Sequence, residues 1–567
     1  MNSKMNSLDN IFSSHWQKII LFVFVAIGSL GAQTFKNPIL SGGYPDPSIC
    51  RVGDEFIMVN SSFEYFPALP IHKSKDLVNW ELVGYGLNRI EQVSGQINLI
   101  DVQSNGGIYA PTIRYHNGKY HIVTTNVYYD EVKQRSTATN FIITSSKPEG
   151  PWSNPIVIKD APGIDPDIFF DDDGRVWYTG MHQPSDPTFS HEKEIWIQEL
   201  NPKSFQLIGK RFFVWRGACG GVWAEGPHIY KKDGKYYLLI AEGGTSFNHS
   251  IMVAVSDTIT GPYVSNERNP IFSSRHLSYD NWVNSTGHGD LVELEDGRWY
   301  IVMLGVRGEV KRKSNMGRET FIAPVSWERE PYDWKERKIV WPVIAPQSGK
   351  ILKNNPIIFS ETIENKGTFF VDEFNDTNLD LAWNHRRAPM QNMFDLVSNP
   401  GSLRVYTNPN KLQERKRANF TGIKQTESEF SFETKMTFSP SSNSDESGIA
   451  IVQKDNNFLS FTIKKLGDDF SLELKLMNKI ETSIDSKKID YNSALPIQLK
   501  VESYLNSYRF YFALKNDDFQ LFTETPADYL LSYGYTGAHI GLYATSNGQI
   551  STGYADFDRV EYTSVKK

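Results

Sequence analysis

The chain has two cysteines in 567 residues, Cys50 and Cys219. That count excludes a disulfide framework and a cysteine-based zinc site, and unpaired thiols of this kind are expected to pack as small buried hydrophobes. Excess positive charge is missing as well: the net charge is −7, which leaves no basic footprint for nucleic acid. Helical periodicity is nearly absent. Long apolar runs are limited to Ile19–Leu30, roughly twelve residues where a spanning helix needs about 20. Lys18 precedes that run and Ser29-Leu-Gly-Ala-Gln33 closes it, the three-part form of a secretory signal. The expectation is an export signal over residues 1–33, cleaved near Ala32 or Gln33, and a secreted or periplasmic mature protein without a membrane span.

What is present is a repeat. Five stretches share a polar or acidic cluster, a short apolar run, a turn and an aromatic-rich run. They begin at Asp46-Pro-Ser-Ile, Ala110-Pro-Thr-Ile, Asp165-Pro-Asp-Ile, Gly226-Pro-His-Ile and His288-Gly-Asp-Leu. Four of the turns are Asn117-Gly, Asp173-Gly, Asp233-Gly and Asp296-Gly, a strong hairpin signal because a type I′ turn needs positive φ at both central residues. Spaced by roughly 55 to 64 residues, the repeats are long enough for four strands each, which predicts a five-bladed β-propeller.

The repeats stop by Pro342, and Pro346, Gly349, Pro356 and Gly367 punctuate a connector. Beyond it, Phe430-Ser-Phe-Glu-Thr-Lys-Met-Thr-Phe438 and Ile497-Gln-Leu-Lys-Val-Glu502 alternate with period two, the pattern of an antiparallel sandwich. The expected division is a propeller over 34–345, a linker over 346–367 and an all-β domain over 368–567.

Aligned on the apolar residue of each first strand (Ile49, Ile113, Ile168, Ile229, Leu291), the repeats place Asp46, Asp165 and His288 in one register, with Tyr109 and Glu225 one residue earlier. Innermost strands line a propeller's channel, so these positions converge at one end of the axis. Any one of them alone reads as a turn residue. Turn chemistry does not require acids at matching places in separate blades, however, and clustered carboxylates drive each other's pKa values apart into an acid and a base. Glycosidic hydrolysis needs that pair, one protonated at the leaving oxygen and one ionised to activate water. A sugar-binding propeller without catalysis is the competing class.

Other acids are assigned more modest roles. Asp171-Asp-Asp-Gly174 reads as a solvated hairpin turn lacking the spacing of a calcium loop, and Glu192-Lys-Glu194 as charged surface. Among the aromatics near the expected mouth, Phe63, Tyr65, Phe66, Tyr109 and Trp223, only Phe63 and Tyr109 are assigned to the sugar.

The motifs Tyr44-Pro-Asp-Pro-Ser48, Ser62-Phe-Glu-Tyr-Phe-Pro67, Gly107-Ile-Tyr-Ala-Pro111, Gly163-Ile-Asp-Pro166, Trp223-Ala-Glu-Gly-Pro-His228, Thr286-Gly-His-Gly289 and Met316-Gly-Arg-Glu-Thr320 resemble those of glycoside hydrolase family 43. The likeness is to its β-xylosidase and α-L-arabinofuranosidase members, which carry a concanavalin-like C-terminal sandwich. It implies an inverting exo-hydrolase with Asp46 as general base, Glu225 as general acid and Asp165 orienting and tuning the acid. By the same resemblance His288 and Arg318 contact the sugar or organise the pocket floor, Phe63 lines the pocket, and Ser532–Ala538 closes over it with Tyr535.

Two positions depart from the family pattern. Tyr109 stands where many relatives have Trp, and Tyr535 where β-xylosidases usually have Phe; each adds a hydroxyl beside the pocket. The expected substrates are terminal β-1,4-linked xyloses on xylo-oligosaccharides or xylan side chains, or alternatively α-L-arabinofuranosides on arabinoxylan or arabinan. No cofactor is required, although the resemblance admits Ca²⁺ or another divalent ion beside His288, held largely through water.

Overall fold

The computed structural model describes residues 33–309, 312–329, 339–360, 367–504, 506–515, 517–531 and 535–566. Residues 1–32 of the expected signal segment, residues 532–534 of the closing loop and six residues of the linker lie outside this set. Among the described residues, the only helical elements are single 3₁₀ turns at Ile90–Gln92 and Ala527–Leu530.

Five sheets of four or five strands follow one another along the chain, each containing the expected hairpin. Their innermost strands are Ser48–Val52, Thr112–His116, Asp167–Phe170, Glu225–Lys232 and Val283–Glu293. At the turns, Asn117 and Gly118 have φ of 49° and 76°, and Asp233 and Gly234 have 51° and 75°, as type I′ geometry demands. Adjacent blades bury apolar seams against each other: Ile57 and Val59 meet Ile113 and Phe141, Val123 meets Ile168 and Trp196, and Ile197 meets Ile229 and Leu238. Leu239 and Val253 then meet Ile301 and Phe321, and Val302 and Ile322 return to Ile49 and Met58. Each such side chain, fully buried, contributes about 1.5–3 kcal/mol, so the ring is held mainly by these contacts between blades.

Among the described residues, no strand is shared between the first and last blades. Closure relies on the seam just described and on the N-terminal segment: the Asn37 amide donates to Ile322 O at 3.0 Å and accepts from Ile322 N at 3.1 Å. Thr34–Lys36 pairs with Asn354–Pro356, so the expected linker is in part a clasp between the two ends of the propeller.

The C-terminal domain is a sandwich of two eight-stranded antiparallel sheets. Phe430–Ser439 and Ile497–Tyr504 alternate buried and less buried residues as the period-two pattern requires, and Phe432, Met436, Phe438, Leu499 and Val501 enter the core. One sheet ends in a strand that belongs to the propeller: Tyr65–Phe66 pairs with Asn384–Arg386. The motif at 62–67 is therefore shared between the domains, which a division at residue 345 does not show.

Three smaller expectations are corrected. Cys50 is largely buried but Cys219 is exposed, on the segment leading into blade four. Glu192 and Glu194 are buried, the latter ion-paired to Arg216 at 3.0 Å and bonded to His182 at 2.9 Å. Asp171 is buried as well, and it staples blade three to blade four by accepting from Lys231 Nζ at 2.9 Å and Tyr236 OH at 2.7 Å.

Candidate active site

Asp46, Asp165 and His288 sit just ahead of, or within, three innermost strands, with φ of 49°, 56° and 48°. The left-handed region is uncommon for residues other than glycine, and here it turns each side chain out of the blade and toward the axis. Phe63 has φ 48°, and Glu225 precedes Gly226, which has φ 57° and lies so close to the His288 ring that a Cβ would be 2.8 Å from it. All three carboxylates are at most 6% exposed.

Asp46 accepts a 2.5 Å hydrogen bond from Ser61 Oγ, and its other oxygen lies 3.8 Å from Arg318 Nη1 and 4.0 Å from His288 Nδ1. Burial pushes Glu225 up to about 7, with Asp46 adding to the rise against the pull of Arg318 and Lys193. Burial likewise raises Asp165 well above the carboxylate range, and the charges of Glu225 and Asp46 reinforce it. Near neutral pH the cluster therefore retains a proton, the condition for a general acid. Burial lowers His288 to about 4 despite Asp46, so the imidazole is neutral there.

The aromatic residues close the pocket. The Phe63 ring lies 5.3 Å from the rings of both Tyr109 and Tyr535, and Arg318 stacks its guanidinium 4.2 Å from the Tyr535 centroid. Tyr535 comes from the sandwich domain, so residues separated by nearly the whole chain meet over the carboxylates. The Tyr109 hydroxyl donates to Asn105 O at 2.9 Å, which commits its proton to the backbone.

All eight residues singled out from the sequence belong to this one constellation. Missed were His249, buried beneath Gly287 with Nδ1 3.1 Å from Ser285 O, and the plug of the channel below it. In that plug Arg114 of blade two bridges Asp167 of blade three and Asp290 of blade five, each at 3.0 Å, and lies 3.1 Å from His228 Nδ1 of blade four. Ser48 of blade one completes the ring by donating to Asp290 at 2.6 Å. Ser48, Asp167, His228 and Asp290 are each the third residue of a repeat's opening phrase, and Arg114 directly follows the phrase of blade two. The register that found the site, continued inward, would have found them.

A five-bladed propeller whose channel mouth carries three buried carboxylates under a sandwich-borne aromatic cap decides the affiliation. The profile of glycosyl hydrolases family 43 matches residues 35–331, and that of the β-xylosidase C-terminal concanavalin A-like domain matches 371–563. The chain belongs to glycosyl hydrolase family 43. This family 43 enzyme is 38% identical to a xylosidase/arabinosidase of Butyrivibrio fibrisolvens, across 92% of this chain and 98% of that one. It is 31% identical to a non-reducing end α-L-arabinofuranosidase of Bacteroides ovatus, across 96% and 97%. Its fold superimposes on a xylan β-1,4-xylosidase from Bacillus halodurans with a TM-score of 0.83 at 28% identity, covering 94% of this chain and all of the other.

Proposed function

We propose that this family 43 hydrolase removes single terminal pentoses with inversion, as a β-1,4-xylosidase acting on xylo-oligosaccharides or xylan side chains. The observation that carries this reading is the closed pocket: Tyr535, Phe63 and Arg318 roof the carboxylates, which suits a chain end and disfavours a chain interior.

Glu225, whose proton burial retains into the neutral range, donates it to the glycosidic oxygen as the bond to the anomeric carbon breaks. Asp46, oriented by Ser61, removes a proton from the water that attacks the opposite face. The two carboxylates come from blades one and four, which are not neighbours in the ring and so leave room for sugar and water between them, as inversion requires. Arg318 offers its charge beside Asp46, and burial together with the charge of Asp46 favours the protonated form of Glu225.

The relatives named for arabinosidase activity support α-L-arabinofuranoside hydrolysis as a second reading. Parallel assays with p-nitrophenyl β-D-xylopyranoside and α-L-arabinofuranoside test both. A dominant xyloside rate is expected, a dominant arabinoside rate would reverse the order, and cleavage of neither would overturn the pentosidase reading.

The residues at the channel do not suit a calcium ion beside His288. Asp167 and Asp290, the nearby axial carboxylates, are committed to Arg114, and Asp46 is held by Ser61 and Arg318. We infer that the guanidinium supplies the axial positive charge. The apolar segment behind Lys18 supports export through a cleaved signal, and fractionation with N-terminal sequencing of the mature protein tests it.

A further inference from the structure

A flat, partly exposed aromatic surface stands close to the acid along the chain. Trp223 lies two residues ahead of Glu225, and its ring stacks on His191 at 4.6 Å with 28° between the planes. Both residues have positive φ, 53° and 64°, a conformation that bulky side chains rarely adopt without functional cause. The pair is locked in place. Trp223 N donates to His191 O at 3.0 Å, and Gly243 N donates to Val222 O at 2.9 Å. A Cβ on Gly244 would lie 2.7 Å from the indole.

The loop carrying His191 is braced from beneath by buried Glu192 and Glu194 through Arg216, and Lys193 between them is near enough for its charge to act on Glu225. Trp223 nevertheless remains 37% exposed, unlike Phe63, which is 1% exposed at the pocket roof. A large aromatic held rigidly yet left open has no packing role to explain it.

We propose that the Trp223–His191 stack seats the leaving-group sugar, taking the apolar face of a pyranose ring next to Glu225. This rests on the hydrolase reading above and narrows it to substrates whose departing part is itself a sugar. A planar aromatic with polar neighbours suits a ring that has one apolar face and hydroxyls at its edge.

The test compares xylobiose with β-D-xylopyranosyl fluoride, which shares the terminal sugar but has no leaving-group ring. Wild-type turnover of the fluoride tests the hydrolase reading by itself. Trp223→Ala is expected to lower kcat/KM for xylobiose about tenfold or more, as losing about 1.4 kcal/mol of contact would, with a loss of less than about threefold on the fluoride. Trp223→Phe, which keeps a flat face and guards against misfolding of the alanine variant, is expected to recover most of the xylobiose rate. Equal losses on both substrates would assign Trp223 to positioning Glu225 and overturn the proposal, and so would undiminished xylobiose cleavage by Trp223→Ala.

Discussion

Gly537 of the sandwich lies against Gly317 of blade five with no room for a Cβ on either: one on Gly317 would run into Gly537 N, and one on Gly537 into Met316 O. Ala538 N donates to Asn315 O at 2.7 Å beside this contact. The backbone that carries Tyr535 is thus joined directly to the backbone that carries Arg318. Gly537, unlike Gly317, has no positive φ, so Gly537→Ala probes the contact alone. It should lift Tyr535 off Arg318 and lower kcat/KM at least tenfold while the sandwich stays folded by circular dichroism. Unchanged kinetics would show that the cap need not touch the propeller.

The pH profile follows from Glu225. Its pKa of about 7 in the folded protein lies above the ordinary glutamate value, so the native state binds the proton more tightly than the unfolded chain. The group therefore favours folding at low pH and costs stability as pH rises from about 4.3 through about 7. Activity should fall over the upper part of that range as the acid ionises. Glu225→Gln, neutral throughout, should lose several orders of magnitude in kcat on an unactivated substrate yet raise Tm more at pH 8 than at pH 5. Calorimetry at the two pH values checks this, and an equal Tm change at both would remove the buried charge as the cause.

The propeller and most of its mouth were legible because repetition is a long-range signal: Asp46, Asp165 and His288 share a register that a single blade could not reveal. The sharing of Tyr65–Phe66 with the sandwich was not legible, because two residues of strand have no periodicity of their own. Glu192 and Glu194 were misjudged because charge in sequence reads as exposure, whereas here Arg216 pays their desolvation. For Tyr109 the sequence located the residue but not its hydroxyl, which Asn105 O takes up.

Arg386 should prove the hinge pin between the domains. Fully buried, it pairs with Glu64 at 3.0 Å and Asp455 at 2.9 Å, and it donates to Ser104 Oγ at 2.8 Å. Glu64 follows Phe63, and Asn105, one residue beyond Ser104, both donates to Glu64 and holds the Tyr109 hydroxyl, so the pocket wall leans on this cation. Arg386→Met strands the buried carboxylate of Glu64, while Asp455 keeps Arg387 at 2.7 Å, and should cost about 3–5 kcal/mol. Asp455→Asn, which leaves Glu64 paired, should cost less in urea unfolding. The reverse order would place the strain elsewhere.

Arg114 offers the sharpest test of the channel. Burial opposes ionisation of Asp290, yet Arg114, His228, Ser48 and Tyr230 overcome it and hold the carboxyl well below the usual range. Removing the guanidinium in Arg114→Met would leave Asp167 and Asp290 unpaired in the centre of five blades, with an expected loss of about 3–5 kcal/mol. Arg114→Lys should recover only part of it, since an ammonium cannot span both carboxylates as the planar fork does. If Arg114 is the axial cation, wild-type activity should survive exhaustive dialysis against EDTA, and added Ca²⁺ should change neither kcat nor Tm. Loss of activity on chelation with recovery on Ca²⁺ would instead place a metal beside His288 and reduce Arg114 to a structural brace.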